Sequence, residues 1–355
     1  MTGKMKYIFG PVPSRRLGIS LGVDLVPFKT CTFNCIYCQL GRTTNPTLKR
    51  KEYIEAKDIL EELKEELANW QTGKLAKQKI NYITLSGSGE PSLNSKIGEI
   101  ISGIKKMTSI PVAVLTNGSL LYKREVRNGL KEADLVIPSL DAATAQAFKK
   151  INRPVETLKV EKIIRGLVDF RREYKGKIWL EVMLAKGIND GREEIKELKK
   201  TIAKIKPDRV QLNTVARPPC EKFARALSNK ELERIKNLLG PLTEVIVPAC
   251  LCEARAGRDF ERRILPSEIK TPPPKAENFV VPVSLLTGQV KRAVTIKDLK
   301  KGIMTMLKRR PAVLKDLADG LGVHRNEVLK YLALLEKERK IRSLKFRGKR
   351  YYQAE

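Results

Sequence analysis

One histidine, His324, is all the imidazole this 355-residue sequence contains. That excludes most histidine chemistry: no Ser-His-Asp triad can form near the cysteines, and no multi-His zinc site has its ligands. Long apolar runs are missing too. No stretch approaches the roughly 18 apolar residues of a membrane helix, and the N-terminus, MTGKMKYIFGPVPSRRLG, lacks the apolar core of a secretory signal. A cytoplasmic protein with no membrane contact is expected. Cytosolic redox poise keeps thiols reduced, so the six cysteines read first as metal ligands or catalytic thiols and only then as disulfides. Acidic residues are scarce relative to basic ones, 40 against 70, for a net charge of +30. With 42% hydrophobic residues the chain nevertheless has ample material for a core, which excludes a disordered polycation and favours two or three domains. There is no solenoid-period repeat and no low-complexity tract beyond Pro272-Pro273-Pro274.

What is present is an alternation. Candidate strands are Leu17 to Leu25, Ile80 to Leu85, Val112 to Thr116, Leu135 to Ser139, Ile178 to Leu184, Arg209 to Val215 and Glu244 to Val247. Between them lie helical periodicities, clearest over Ile54 to Trp70, Leu158 to Phe170 and Glu193 to Ile205. Strands alternating with helices predict βαβ units on a parallel sheet. The candidate strands end in polar clusters, and loops after strand C-termini build the site in such folds, so one shared mouth is expected there. Glu181, inside an otherwise apolar strand, either points into the barrel toward ligand or pairs with a basic neighbour.

Directly after the first predicted strand comes Cys31-Thr32-Phe33-Asn34-Cys35-Ile36-Tyr37-Cys38. Three thiolates at this spacing can converge on one metal centre but cannot complete it. Structural zinc wants four ligands, whereas iron-sulfur clusters are thiolate-held and tolerate an iron left open for substrate.

Cys-x3-Cys-x2-Cys with an aromatic before the last cysteine resembles the radical S-adenosylmethionine (SAM) superfamily, over roughly residues 8 to 250. Gly10-Pro11-Val12-Pro13-Ser14-Arg15-Arg16-Leu17-Gly18, Cys38-Gln39-Leu40-Gly41, Asn152-Arg153-Pro154 and Arg217-Pro218-Pro219 are similar to the branch that includes the tRNA wyosine synthases. The resemblance implies an α/β fold, a partial (β/α)6 barrel, with a 4Fe-4S cluster on Cys31, Cys35 and Cys38. It implies S-adenosylmethionine on the fourth iron, cleaved by an electron from a reductant such as flavodoxin or ferredoxin to give a 5′-deoxyadenosyl radical. Ser88-Gly89-Glu90 resembles the family's Gly-Gly-Glu-type motif, whose small residues let backbone approach the methionine amine. Ser88 departs from the more common glycine, which is tolerable if only its backbone is used. Tyr37 is expected against the adenine, and Asn117, Ser139 and Asp141 are expected at the ribose or methionine carboxylate, Asp141 as a hydroxyl acceptor. The alternative for Asn117, Ser139 and Asp141 is a turn or helix cap.

Cys220, Cys250 and Cys252 follow later strands and form a second set of three, readable as a second iron-sulfur cluster, a catalytic or radical-quenching thiol, or structural thiols. Wyosine synthases carry their extra cysteines before the main motif, and no cysteine precedes Cys31 here, which argues against the pyruvate-condensing reaction. Residues 251–292 read as a connecting segment between a barrel at 1–250 and a C-terminal domain at 293–355. In that last part, helix, helix, tight turn, helix and hairpin predict a winged helix-turn-helix. Residues 291–355 hold 19 Lys+Arg against 7 Asp+Glu, a net of +12. Arg325, Lys330, Arg347, Lys349 and Arg350 are the expected nucleic-acid contacts, with Phe346, Tyr351 and Tyr352 either stacking on bases or sealing the small core. His324 is expected as a cap or solvent-facing residue. The expected activity is radical modification of RNA, foremost tRNA. The alternatives are modification of a peptide or small metabolite with the C-terminal domain docking a partner, or an iron-sulfur transcription regulator.

Overall fold

The computed structural model describes residues 7–14, 16–72, 79–246 and 296–355. The whole connecting segment 251–292, with Cys252 in it, and Cys250 just before it lie outside the described residues. Strand β1 (Ile8–Ser14) runs antiparallel to β2 (Gly18–Val23). The cysteine loop follows, pinned by the short pair β3 (Thr30–Cys31) and β4 (Asn45–Pro46). Then helices and strands alternate: α1 (Ala56–Thr72), β5 (Tyr82–Leu85), α2 (Ile97–Met107), β6 (Val112–Thr116), α3 (Arg124–Gly129) and β7 (Leu135–Pro138). They continue through α4 (Ala145–Ile151), α5 (Val160–Glu173), β8 (Lys177–Leu184), α6 (Arg192–Ile205), β9 (Arg209–Thr214), α7 (Asn229–Leu239) and β10 (Thr243–Val245).

Eight strands form one sheet in the order β1-β2-β5-β6-β7-β8-β9-β10, and the seven from β2 onward are parallel. Helical crossovers join them, so β10 is one strand more than six βα units supply. Every candidate strand from the sequence has its counterpart here. Within this sheet β1 is not among the candidate strands; it carries Pro11 and Pro13, and proline is tolerated on an edge strand, which β1 is.

Strand β8 shows how the sheet is made. Ile178, Leu180, Val182 and Leu184 are fully buried against the helices, while Trp179, Glu181 and Met183, on the opposite face, stay half-exposed. Each such aliphatic burial contributes about 1.5–3 kcal/mol. The helices answer in their own period: α6 buries Ile195, Leu198, Ile202 and Ile205. A capping box of Ser228 and Glu231 starts α7. The face of the sheet turned from the helices is mixed, with a small apolar cluster of Leu17, Ala113, Leu135 and Ile137 against Trp179 and polar Glu181 further along β8.

The C-terminal unit comprises α8 (Ile296–Arg309), β11 (Ala312–Val313), α9 (Leu314–Leu321), α10 (Arg325–Lys337), β12 (Ile341–Phe346) and β13 (Lys349–Ala354). Its sheet order is β11-β13-β12, and its core is built on Leu299, Ile303, Leu317, Val328, Leu332 and Tyr352. It rests on the edge strand of the barrel, with Val12 packed into its core.

Candidate metal centre and cofactor site

The cysteine loop is held from three sides. Asn152-Arg153-Pro154 clasps it through backbone bonds: Asn34 N–H donates to the Asn152 and Arg153 carbonyls (3.0 and 3.1 Å), Ile36 N–H to Ile151 (3.0 Å), and Val155 N–H to Thr32 (3.0 Å). Residues 217–221 close from another side, where Glu221 N–H donates to the Ile36 carbonyl (2.9 Å) and the Glu221 carboxylate meets Arg153 (2.7 Å) and Arg42 (3.1 Å). Two motifs singled out in the sequence, about 65 residues apart, thus meet at one loop. Ser88-Gly89-Glu90 forms the third wall: Lys29 N–H donates to the Ser88 carbonyl (2.7 Å) and Glu90 N–H to the Thr30 carbonyl (3.0 Å). A Cβ on Gly89 would lie 1.9 Å from the Thr30 oxygen, so only glycine allows this approach.

Each sulfur of the loop faces one side-chain N–H donor from a different segment. Lys29 Nζ lies 3.3 Å from Cys38 Sγ, Asn117 Nδ2 3.6 Å from Cys31 Sγ, and Asn152 Nδ2 3.5 Å from Cys35 Sγ. Burial pushes the Cys31 thiol up to about 12 and Cys35 well above its ordinary value, with nearby Glu90 and Asp141 adding to it. Thiolates here therefore need a metal's positive charge, and the N–H donors suit the sulfur once it is ionised. Among the described residues no three His, Cys, Asp or Glu groups are placed to hold a single metal ion. A four-iron cluster asks for a different arrangement, each thiolate on its own iron. The donor set fits such a cluster.

The Radical SAM superfamily profile matches residues 25–202, half of the chain. The chain belongs to the radical SAM superfamily. It is 36% identical over 242 residues to a UPF0026 protein of Methanocaldococcus jannaschii, covering 68% of this chain and 73% of that protein. It is 49% identical over 233 residues to a protein named GTPase Obg of Brachyspira hyodysenteriae, covering 66% of this chain but only 33% of that longer protein. Among solved structures, a radical SAM methyltransferase from Sphaerobacter thermophilus aligns with a TM-score of 0.49 at 16% identity, over 64% of this chain and 65% of that one. Superfamily membership makes this a radical SAM enzyme, with a 4Fe-4S cluster and S-adenosylmethionine as its cofactors.

Several of the expected cofactor residues also brace the cysteine loop. Asp141, expected as a free hydroxyl acceptor, is buried and takes donors from Tyr37 OH (2.5 Å), Asn152 Nδ2 (2.6 Å) and Met183 N–H (3.0 Å). Burial lifts its carboxyl to about 6. Glu90 is likewise enclosed, accepting from Ser92, Thr116 Oγ1 (2.6 Å) and Asn117 N–H (2.7 Å), and burial raises its pKa. Asn117 accepts from Ser119 N–H as in a turn while its amide reaches Thr32 and Cys31. Ser88 uses its backbone on both sides, donating its N–H to Asp24 and accepting from Lys29 N–H, and its side chain hydrogen-bonds Asp24 as well. Tyr37 is anchored at its hydroxyl and is half-buried as a residue.

Above this, register aligns Ser139, Glu181, Gln211 and Glu244 as successive neighbours across four strands. Glu181 resolves its own alternative: it pairs with Arg16 and accepts from Asn213 Nδ2 at 2.8 Å. Cys220 is close enough to Cys38 and Lys29 for their charges to act on it, and burial raises its pKa. Lys29, Asn152 as a sulfur donor, and Arg16 were not foreseen as site residues. Lys29 carried a signal, a lysine two positions before the first cysteine of a buried loop; the pairing of Arg16 with a glutamate 165 residues away carried none.

In the C-terminal unit, Arg325, Lys330, Arg347 and Arg350 are exposed and Lys349 half-buried, with Arg347 and Gly348 in left-handed conformation at the hairpin turn (φ 49° and 75°). The aromatics seal cores. Tyr352 is in the small core, and Tyr351 donates to the Ala216 carbonyl at 3.0 Å while Phe346 packs on the barrel, so none is laid open for bases. His324 caps α10, its Nδ1 accepting from Asn326 N–H.

Proposed function

We propose that this radical SAM enzyme modifies RNA, foremost tRNA, and that its C-terminal unit is a winged helix-turn-helix presenting that RNA to the barrel. The carrying observation is the pairing of a sulfur-lined loop with a separate, strongly basic unit docked beside it. Cys31, Cys35 and Cys38 would hold the cluster, which would supply the electron for reductive cleavage of S-adenosylmethionine. The chain's own residues orient the loop, through Asp141, Asn152 and Glu90, and present Arg325, Lys330, Arg347, Lys349 and Arg350 to phosphates. The helix, helix, helix, hairpin order and the β11-β13-β12 sheet support the winged-helix reading. Affinity with the wyosine-synthase-like branch is supported by where its motifs fall, since two of them clasp the cysteine loop. A flavodoxin- or ferredoxin-type reductant and a cytoplasmic location belong to the same reading; no helix among the described residues is long and apolar enough to cross a membrane. A second cluster on Cys220, Cys250 and Cys252 belongs to it as well, and iron counted in Cys220→Ala against wild type tests it.

Anaerobically reconstituted, reduced protein is expected to form 5′-deoxyadenosine, faster with unmodified tRNA than with peptide or metabolite pools. No cleavage under any of these conditions overturns the reading, and stimulation by a peptide or metabolite fraction alone transfers it to that substrate class.

A further inference from the structure

Asp24 directly follows β2, the first parallel strand, and is 3% exposed. One carboxylate oxygen accepts the Ser88 N–H (2.5 Å) and the other meets Arg309 of α8 in the C-terminal unit at 2.8 Å. The Arg309 guanidinium also lies over the Phe9 ring, 5.1 Å from its centroid. Asp24 and Phe9 are the side chains that crowd Gly87, where a Cβ would come within 2.1 Å of the Asp24 oxygen and 3.0 Å of the Phe9 ring. The 86–90 loop is therefore moulded against two groups that a residue of another unit holds in place. Burial pushes the Asp24 carboxyl up to about 6, and Arg309 is the leading influence opposing it. A buried carboxylate left without such a cation is strongly disfavoured by desolvation.

A second link runs in parallel. Asp316 of α9 pairs with Arg217 at 3.2 Å, and Arg217 Nη1 donates to Gln39 Oε1 (3.3 Å), the residue after Cys38. Tyr351 of β13 fixes the carbonyl just before Arg217. Both links thus join the C-terminal unit to segments flanking the three cysteines.

We propose that the C-terminal unit positions the cofactor site: Arg309, acting through Asp24, sets the 86–90 loop for S-adenosylmethionine, and Asp316, acting through Arg217, steadies the loop after Cys38. The inference rests on residues 86–90 being a cofactor loop. An inter-unit ion pair that merely holds two bodies together would change unfolding and leave cofactor affinity alone, and that difference decides the matter.

The test uses the full chain with its cluster reconstituted anaerobically. S-adenosylmethionine binding is measured by equilibrium dialysis, and amide exchange of residues 86–90 with and without S-adenosylmethionine, in wild type, Arg309→Met, Arg309→Lys and Asp24→Asn. Arg309→Met and Asp24→Asn are expected to weaken binding about tenfold with iron content unchanged, and Arg309→Lys to retain most of the affinity. Wild-type affinity and exchange in an iron-loaded Arg309→Met overturns the inference. Should Arg309→Met lose its iron, Asp24→Asn and Asp316→Asn, which keep side-chain volume, decide by the same criterion. If S-adenosylmethionine leaves the 86–90 amides unprotected in wild type, the cofactor-loop reading falls and the inference with it; protection that is equal in all variants removes the coupling alone.

Discussion

Lys29 is 3% exposed, yet its ammonium has no carboxylate within ion-pair distance among the described residues; it donates to Cys38 Sγ and the Gly41 carbonyl. The negative charge available to it is that of the thiolates. A fixed cation beside a cluster stabilises the reduced, more negative state, so Lys29→Met is expected to lower the cluster midpoint by about 60 mV, tenfold in a one-electron equilibrium. A redox titration followed by electron paramagnetic resonance checks this, and an unchanged midpoint rejects the role. Glycine positions sort by the same local logic. Gly89→Ala drives a methyl into the Thr30 carbonyl and is expected to cost more than ~3 kcal/mol and to block iron loading. Gly187→Ala, at φ 74° with nothing within 4 Å, should cost only about 1 kcal/mol, the strain of the left-handed backbone. Urea unfolding of both variants gives the comparison.

At the scale of elements, Glu338 ties the end of α10 to α8: Lys300 donates to one oxygen at 2.8 Å and Lys340 to the other at 2.7 Å. These donors hold its carboxyl down at about 2, below the ordinary 4.5. The folded pKa is the lower one, so the contribution to stability is complete above 4.5 and lost as pH falls toward 2. Thermal unfolding of Glu338→Gln should therefore fall below wild type at pH 7, with the gap narrowing between pH 4.5 and the acid limit; a gap constant with pH contradicts the pairing. The α10 and hairpin elements carry a separate expectation. Replacing Arg347, Lys349 and Arg350 by alanine should weaken tRNA binding and flatten its salt dependence by up to about three phosphate contacts, without altering S-adenosylmethionine cleavage in the absence of RNA. An unchanged salt slope removes the hairpin from the interface.

For the whole molecule, charge and chemistry are divided between two bodies. Residues 291–355 carry a net +12 of the chain's +30, and the barrel carries the sulfur-lined loop. Their contact is not a bare tether: a buried ion pair, a partly buried one and a tyrosine hydroxyl join the basic unit to the loops of the metal centre. An enzyme built this way should hold S-adenosylmethionine differently when the basic unit is occupied. Adding saturating tRNA is expected to shift S-adenosylmethionine affinity in wild type and to leave it unmoved in Asp316→Asn/Arg309→Met, as measured by dialysis at fixed salt.

Much of this was legible in the chain. Alternating Ile178, Leu180, Val182 and Leu184 can bury one face only as a strand, and Ile195, Leu198, Ile202 and Ile205 only as a helix, so periodicity determined the elements and their parallel order. The three cysteines, seven residues from first to last, determined the metal chemistry because they share one loop. Tertiary structure alone decided who serves that loop. Asp141 reads as a hydroxyl acceptor and Glu90 as part of a backbone-contact motif; packing buries both carboxylates among donors from Tyr37, Asn152, Thr116 and Asn117. The Arg16 to Glu181 and Arg309 to Asp24 pairs likewise join positions 165 and 285 residues apart that no local pattern connects. Short-range spacing records which groups can share a helix face or a loop; the enclosure of a charge, and hence its need for a particular distant partner, exists only once the chain has folded around it.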